Sequence, residues 1–289
     1  MAHDTFRAGD LTAIIGDNSA AGDHRAGYNG LWSLTHRTEP GNLFVPTVAG
    51  LNFEHIFDGH QDLTMGDDVF FEPRRAPMEF KRVAEDEAEL HQPATPTFFL
   101  ESWTRFKLVP PHSIDMSFRC VPRQHAFKNG YIGLFWASYI NGPEDKSLYF
   151  RGGRRWQQHC TPAHNVLSTV LHKDDKTELK FAAAARETLY RNLSPLRYDE
   201  PFYYGNFGSH VFILMFDRAE GIRFSHSPSG GGDNARAETT NPAWDWQFII
   251  PAFEVLKEYG FRARAVYRER CPRAEILAEF EKWKTAIGR

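Results

Sequence analysis

The feature that most constrains this chain is a set of short aromatic and β-branched runs, broken at alternate positions by polar residues and bounded by Gly, Pro, Asn or Asp. Phe98 to Phe106, Tyr131 to Tyr139, Val211 to Phe216 and Trp244 to Phe248 are the clearest. Such runs read as half-buried or buried β-strands. In Ser113 to Val121, Met116, Phe118 and Cys120 fall on one face, and Ser117 and Arg119 on the other. Aromatic residues make up 14% of the chain, including 24 Phe, which suits sheet-on-sheet packing because each ring buries a large area. The expected fold class is all-β: a large antiparallel β-sandwich, formed as one domain over residues 1–289.

Further strands are expected at Leu11 to Ile15, Leu31 to Leu34, Leu43 to Val48 and Val69 to Pro73. A meander follows from Met78 to Arg123, and later strands at Ser147 to Arg151, His210 to Asp217, Ile222 to His226 and Gly260 to Tyr267. Helix signals are few. Ile276, Leu277, Phe280, Trp283 and Ile287 make one apolar stripe at helical spacing, with Pro272 near its start and Gly288 just past its end, so a C-terminal helix is expected over 272–287. Glu178 to Arg191 is ambiguous between helix and strand.

Composition narrows the partners. Formal net charge is −3, and no Lys/Arg block stands out as a tract, although the doublets Arg74-Arg75 and Arg154-Arg155 occur, so a nucleic-acid partner is not expected. The longest clean apolar run, Val211 to Phe216, is far too short to span a bilayer. Cys120, Cys160 and Cys271 show neither a disulfide framework nor zinc spacing and read as reduced thiols. The N-terminus lacks the pattern of a secretory signal, and a cytoplasmic location is the expectation.

Gly30-Leu31-Trp32-Ser33-Leu34, Asn42-Leu43-Phe44-Val45-Pro46 and Ala49 to His55 resemble the opening of galactose-mutarotase-like sandwich proteins. Glu101 to Leu108 followed by Ile114 to Phe118 is similar to the paired central strands of that fold. The resemblance covers most of the chain loosely. It implies a supersandwich of the kind used by epimerases, polysaccharide lyases and glycosidase accessory domains. The catalytic pattern of the mutarotases themselves is not found.

Five constellations carry polar chemistry. Glu54 and His55, in the segment Asn52 to His60, could move protons or contribute to a divalent metal site, although adjacent residues of a regular strand point to opposite faces. Glu101, Trp103 and Arg105 share a strand face and read either as a sugar platform or as an exposed ion-pair ladder. Tyr139, Asn141, Tyr149 and Arg151 would converge if the turn at Gly142 to Lys146 closed a hairpin. His226 ends a strand before the loop Ser227 to Gly232, which could close over a ligand. Asp245 and Gln247 share a face opposite Trp244, Trp246 and Phe248, and a desolvated Asp245 would have a raised pKa. The segment Arg223 to Gly232 carries neither GxGxxG nor Walker spacing, and no GxSxG elbow occurs.

The reading these residues support is a carbohydrate-active enzyme performing proton transfer on a sugar, as epimerase, isomerase or lyase. The alternative is a non-catalytic carbohydrate-binding protein. His226 and His55 are the expected acid/base groups, with Glu54 or Asp245 as carboxylate partner. Glu101, Trp103, Arg105, Tyr139, Asn141, Tyr149, Arg151 and Gln247 are the expected substrate contacts. The expected ligand is a small-molecule or oligosaccharide substrate. No cofactor is assigned, and a divalent metal is left open.

Overall fold

A computed structural model describes residues 2–61, 65–231 and 241–288. The chain opens with β1 (His3–Ala8), β2 (Leu11–Gly16), β3 (Gly30–His36) and β4 (Asn52–Phe57), then two short helices, α1 (Gly66–Phe70) and α2 (Glu72–Arg75). A meander follows: β5 (Glu79–Ala84), β6 (Glu87–Gln92), β7 (Leu100–Val109) and β8 (Ser113–Pro122). Next come β9 (Ile132–Ala137), β10 (Leu148–Gly152), β11 (Arg155–His159), β12 (Thr169–His172) and β13 (Leu193–Tyr198). The chain closes with β14 (Phe202–Phe207), β15 (His210–Phe216), β16 (Ile222–Gly231), β17 (Asn241–Ile250), β18 (Tyr259–Glu269) and the C-terminal helix α3 (Arg273–Ala286).

These strands form a nine-stranded sheet, β11-β10-β14-β15-β18-β8-β7-β6-β5, and a six-stranded sheet, β13-β12-β16-β17-β9-β4, with a three-stranded sheet, β1-β2-β3, beside them. Pairing is antiparallel except at one edge, where β12 and β13 run parallel. The expected sandwich is present, and this edge pair departs from purely antiparallel pairing.

Alternation places the large rings between the two big sheets. In the six-stranded sheet, Phe53 lies opposite Trp136, Trp136 opposite Trp246 and Trp246 opposite Phe224. Trp136 and Trp246 stack with centroids 5.4 Å apart and planes 1° from parallel. From the facing sheet, Phe118 meets Trp136 edge-on at 4.7 Å and Phe261 does so at 5.1 Å. Offset and edge-to-face contacts are the favoured geometries of aromatic pairs. Trp244 needs a gap opposite it, and Gly205 supplies one: a Cβ there would lie 2.2 Å from the indole ring.

Three local expectations are corrected. Val69 to Pro73 is not a strand but the junction of α1 and α2. Asp67 and Asp68 occupy the first turn of α1 and Pro73 sits at the start of α2, positions that favour helix N-termini. Leu43 to Val48 pairs only through the isolated bridge Phe44↔Ile140, in a stretch where Pro46 has no N–H to give. Glu178 to Arg191 is neither helix nor strand. Its backbone instead reaches the β4 end, with Ala182 N–H donating to the Gly59 carbonyl and Arg186 N–H to that of Gln61, and Tyr190 stacks on Phe57 at 4.6 Å.

The helix α3 covers the outer face of the nine-stranded sheet. Ile276, Phe280 and Trp283 are buried with Phe202, Tyr204, Ile213 and Val266, and Gly288 follows at a positive φ of 76°. Trp283→Ala is expected to destabilise the protein by about 3–5 kcal/mol, as for other buried Trp truncations. Urea unfolding checks this; no change in midpoint would mean that the helix contributes no packing energy.

Candidate active site

The outer face of the six-stranded sheet carries a cleft of about 290 Å³. Its floor comes from the residues that alternate with the aromatic row: Phe135 and Ala137 on β9, Ala243 and Asp245 on β17, and Ser227 on β16. Its walls come from Tyr28, from Phe70, Phe71 and Arg74 of the α1–α2 segment, and from His164, Asn165, Arg186 and Thr188 in two long connections.

Glu54 and His55 both line this cleft. The register steps from Phe53↔Trp136 to His55↔Phe135, so Glu54 is an extra residue, a β-bulge. A bulge re-aims side chains next to it. The expectation that Glu54 and His55 point to opposite faces fails for that reason.

The Glu54 carboxylate is surrounded by donors. Oε2 accepts from the Tyr139 hydroxyl and from Asn52 Nδ2 at 3.0 Å. Arg74 Nη1 lies 3.8 Å from Oε2, and His55 Nε2 lies 3.2 Å from Oε1. Burial pushes the Glu54 carboxyl up, but His55, Arg74 and Tyr139 together outweigh it and hold the group below the ordinary glutamate value. For His55, burial lowers the imidazole and Glu54 only partly offsets it. The ring is held between Phe70 at 3.9 Å and Phe135 at 4.8 Å. Among the described residues Nδ1 has no hydrogen-bond partner, while Nε2 contacts Glu54 Oε1. At neutral pH the pair is therefore a carboxylate beside a neutral imidazole.

Asp245 is the opposite case. Its Oδ1 accepts from the Ser138 N–H at 3.0 Å. Burial raises its carboxyl well above the aspartate range despite that bond, and the nearby Glu54 charge adds to the rise. Burial thus favours the neutral form of Asp245. Two carboxyl groups in one cleft are shifted in opposite directions, which is the arrangement that separates acid and base roles.

Several buried polar atoms of the cleft have no protein partner among the described residues: His55 Nδ1, Asn165 Oδ1 and Thr188 Oγ1. Buried polar groups are normally paired, so these atoms are open to a polar ligand. A larger groove of about 630 Å³ lies near His172, Arg218 and Tyr259. Its polar groups are mostly engaged: Asp175 with Arg223 at 2.8 Å, His172 with the Asp199 carbonyl, and Arg218 with Gly260 and Glu220. Among the described residues, no group of three or more His, Cys, Asp or Glu side chains is placed to hold a metal ion.

The other expected site residues scatter. His226 lies on the inward face of β16, fully buried, with Nε2 bonded to the Lys146 carbonyl at 2.8 Å and Nδ1 to Thr161 Oγ1 at 3.0 Å. Its neighbour Ser227 faces the cleft instead, bonded to His164 Nδ1 at 2.9 Å. The strand runs on through Gly231, and Gly232 lies outside the described residues. Gln247 is buried beyond the cleft, with Nε2 donating to Thr169 and Ser225.

The expected hairpin of Tyr139, Asn141, Tyr149 and Arg151 does not form, because β10 pairs with β11 and β14. Tyr139 reaches the cleft alone. Asn141 bonds the Asn42 carbonyl, Tyr149 bonds Asp145 and stacks on Tyr204, and Arg151 lies over Trp156. Glu101, Trp103 and Arg105 lie on β7 of the nine-stranded sheet, away from the cleft. Glu101 accepts from His91 and Arg123, and Arg105 donates to Glu89. The Trp103 ring is stacked by His91 from one flanking strand and lies under Arg119 from the other, and with Arg105 it borders a separate cavity of about 220 Å³ on this sheet.

Sequence reasoning missed Tyr28, His164, Asn165, Arg186 and Thr188. They sit in connections without periodicity, and no local pattern marks them. Arg74 stood out only as half of a basic doublet.

No protein-family model matches the chain, and no curated protein matches it in sequence. Solved structures do match in fold. One is an Escherichia coli K12 protein provisionally described as an aldose 1-epimerase, with a TM-score of 0.55 at 8% identity over 93% of this chain and 99% of that one. Another is a galactose mutarotase-like protein from Lactobacillus casei ATCC 334, with a TM-score of 0.52 at 10% identity over 92% and 100%. A third is 4-alpha-glucanotransferase from Thermococcus litoralis, with a TM-score of 0.50 at 10% identity over 91% of this chain and 37% of that one. The architecture is the galactose-mutarotase-like supersandwich.

The burial of His226 makes a pH prediction. Burial lowers its pKa from the ordinary histidine value of 6.5 to about 4. Between these values the unfolded chain binds a proton that the folded chain does not, so stability is full above pH 6.5 and falls as pH drops toward 4. The His226 contribution to that loss is about 3 kcal/mol. Chemical denaturation from pH 7 to 4 should show a shallower acid decline in His226→Gln than in the parent. An unchanged slope would show that His226 does not drive it.

Proposed function

We propose that this protein is a carbohydrate-active enzyme and that the Glu54–His55–Asp245 cleft is its active site. The observation that carries the reading is the concentration, in one cleft, of buried polar atoms with no protein partner. A polyhydroxylated ligand presents the donors and acceptors these atoms lack. The fold likeness to proteins described as an aldose 1-epimerase and a glucanotransferase agrees with a sugar ligand.

The chemistry proposed is proton transfer on the sugar: epimerisation, isomerisation or elimination. Neutral His55 is the base, since an unprotonated imidazole can accept a proton at neutral pH. The anionic Glu54 beside it stabilises the imidazolium formed as the proton arrives. Asp245, protonated, is the acid that donates to an oxygen or returns a proton to carbon. Tyr139 holds Glu54 in place, and Arg74 balances its charge. His226, sealed in the interior with both nitrogens engaged, holds Lys146 and Thr161 in position and takes no part in proton transfer.

The test is NMR of mono- and oligosaccharides incubated with the protein in D2O, which reads deuterium incorporation at carbon, epimerisation and elimination together. At least one sugar should turn over. His55→Gln and Asp245→Asn should each slow that reaction by about 10²–10⁴-fold, the usual contribution of a general acid or base, while keeping the melting temperature. Sugars that bind by calorimetry but show no turnover would establish the non-catalytic binding reading in its place.

A further inference from the structure

The cleft holds two guanidinium groups that are balanced differently. Arg74 faces buried Glu54, donates from Nε to the Gly27 carbonyl at 3.0 Å and lies over Tyr28 at 4.0 Å and Phe71 at 4.9 Å. Its charge is matched by a carboxylate as buried as itself. Arg186 lies over the Phe70 ring at 4.3 Å, and among the described residues its carboxylate contact is Asp67 at 3.0 Å. The Arg186 side chain is 18% exposed, but that of Asp67 is 68% exposed. A carboxylate so open to water gives a weak, salt-screened pair. The other carboxylate at the cleft wall, Glu187, accepts from Arg191 and Asn192 at 3.2 Å each. The cationic charge of Arg186 is therefore under-compensated on the side that faces the cleft.

The same position is chemically useful. Phe70 lies against both the Arg186 guanidinium and the His55 ring. A group held by Arg186 would sit one aromatic ring away from the proposed base. A guanidinium is the side chain best matched to carboxylate and phosphate oxygens, because its donors form a planar fork.

We propose that the ligand of this cleft is an acidic sugar whose anionic substituent, a carboxylate or a phosphate, is gripped by Arg186 in place of Asp67. This rests on the reading of the cleft as a sugar site and adds the charge class of the sugar. Arg186 is the residue that sets that specificity.

The experiment is isothermal titration at low ionic strength with matched pairs: glucuronate against glucose, galacturonate against galactose, and glucose 6-phosphate against glucose. In at least one pair the acidic member should bind about 10-fold or more tightly than its neutral parent, the increment expected of a charge-assisted hydrogen bond. The uronate and phosphate pairs tell the two anionic groups apart. In Arg186→Gln the difference between acidic and neutral members should collapse, and in Arg186→Lys part of it should return. Asp67→Asn should widen it, by removing the competing carboxylate. Equal affinity for acidic and neutral sugars overturns the proposal and leaves the sugar cleft standing, as does a preference that survives in a folded Arg186→Gln. If no sugar of either charge binds, the reading of the cleft itself fails and the proposal falls with it.

Discussion

The contact on which the rest of this structure depends is the row Phe53, Trp136, Trp246 and Phe224, lying side by side across four strands of the six-stranded sheet. All four are buried and meet Phe118, Phe216 and Phe261 from the facing sheet. Each ring removes a large apolar area from water, and together they fix the register of neighbouring strands. A slip of one residue would carry every ring to the opposite face. Because the side-chain period of a strand is two, committing this row to the interior commits the alternate residues, among them Phe135, Ala137 and Asp245, to the outer face.

That outer face would be an ordinary sheet surface without two further features. The bulge at Glu54 puts two consecutive polar side chains on it instead of one. The α1–α2 segment and the connections carrying His164 and Arg186 then wall it in. Walling is what creates the electrostatics. The same burial that lowers the His55 imidazole and raises the Asp245 carboxyl would disfavour the Glu54 charge, and there it is outweighed by His55, Arg74 and Tyr139. Burial alone and burial with partners have opposite consequences for carboxyl groups less than one side chain's reach from the same ligand space.

His226 and Ser227 show how narrow the margin is. They are consecutive on a regular stretch of β16, so alternation sends the histidine into the interior and the serine to the cleft. The same logic gives Asp245 to the cleft between the buried Trp244 and Trp246. Asp245 was legible because its flanking indoles had to be core. His226 was not, because a histidine after Phe224 and Ser225 reads equally well as a strand end or as a buried polar group.

The sequence by itself determined the fold class, most strand positions, the C-terminal helix with Phe280 and Trp283 on its buried stripe, and the placing of Trp246 and Asp245 on opposite faces. These follow from periodicity, turn residues and helix-end signals, all of them local. It also singled out Glu54, His55, Tyr139 and Asp245 as chemically notable. Only the tertiary structure decided that these four share a cleft, that Tyr149 and Arg151 pack elsewhere, and that Trp103 lies between His91 and Arg119 on the other large sheet. It alone brought in Arg186, Asn165 and Thr188. The physical reason is that a bulge adds one residue without a sequence signature, and strand order joins segments as distant as β4 and β17 through β9. The irregular connections then find their positions through backbone hydrogen bonds and ring contacts across the fold, which no pattern within their own residues can announce.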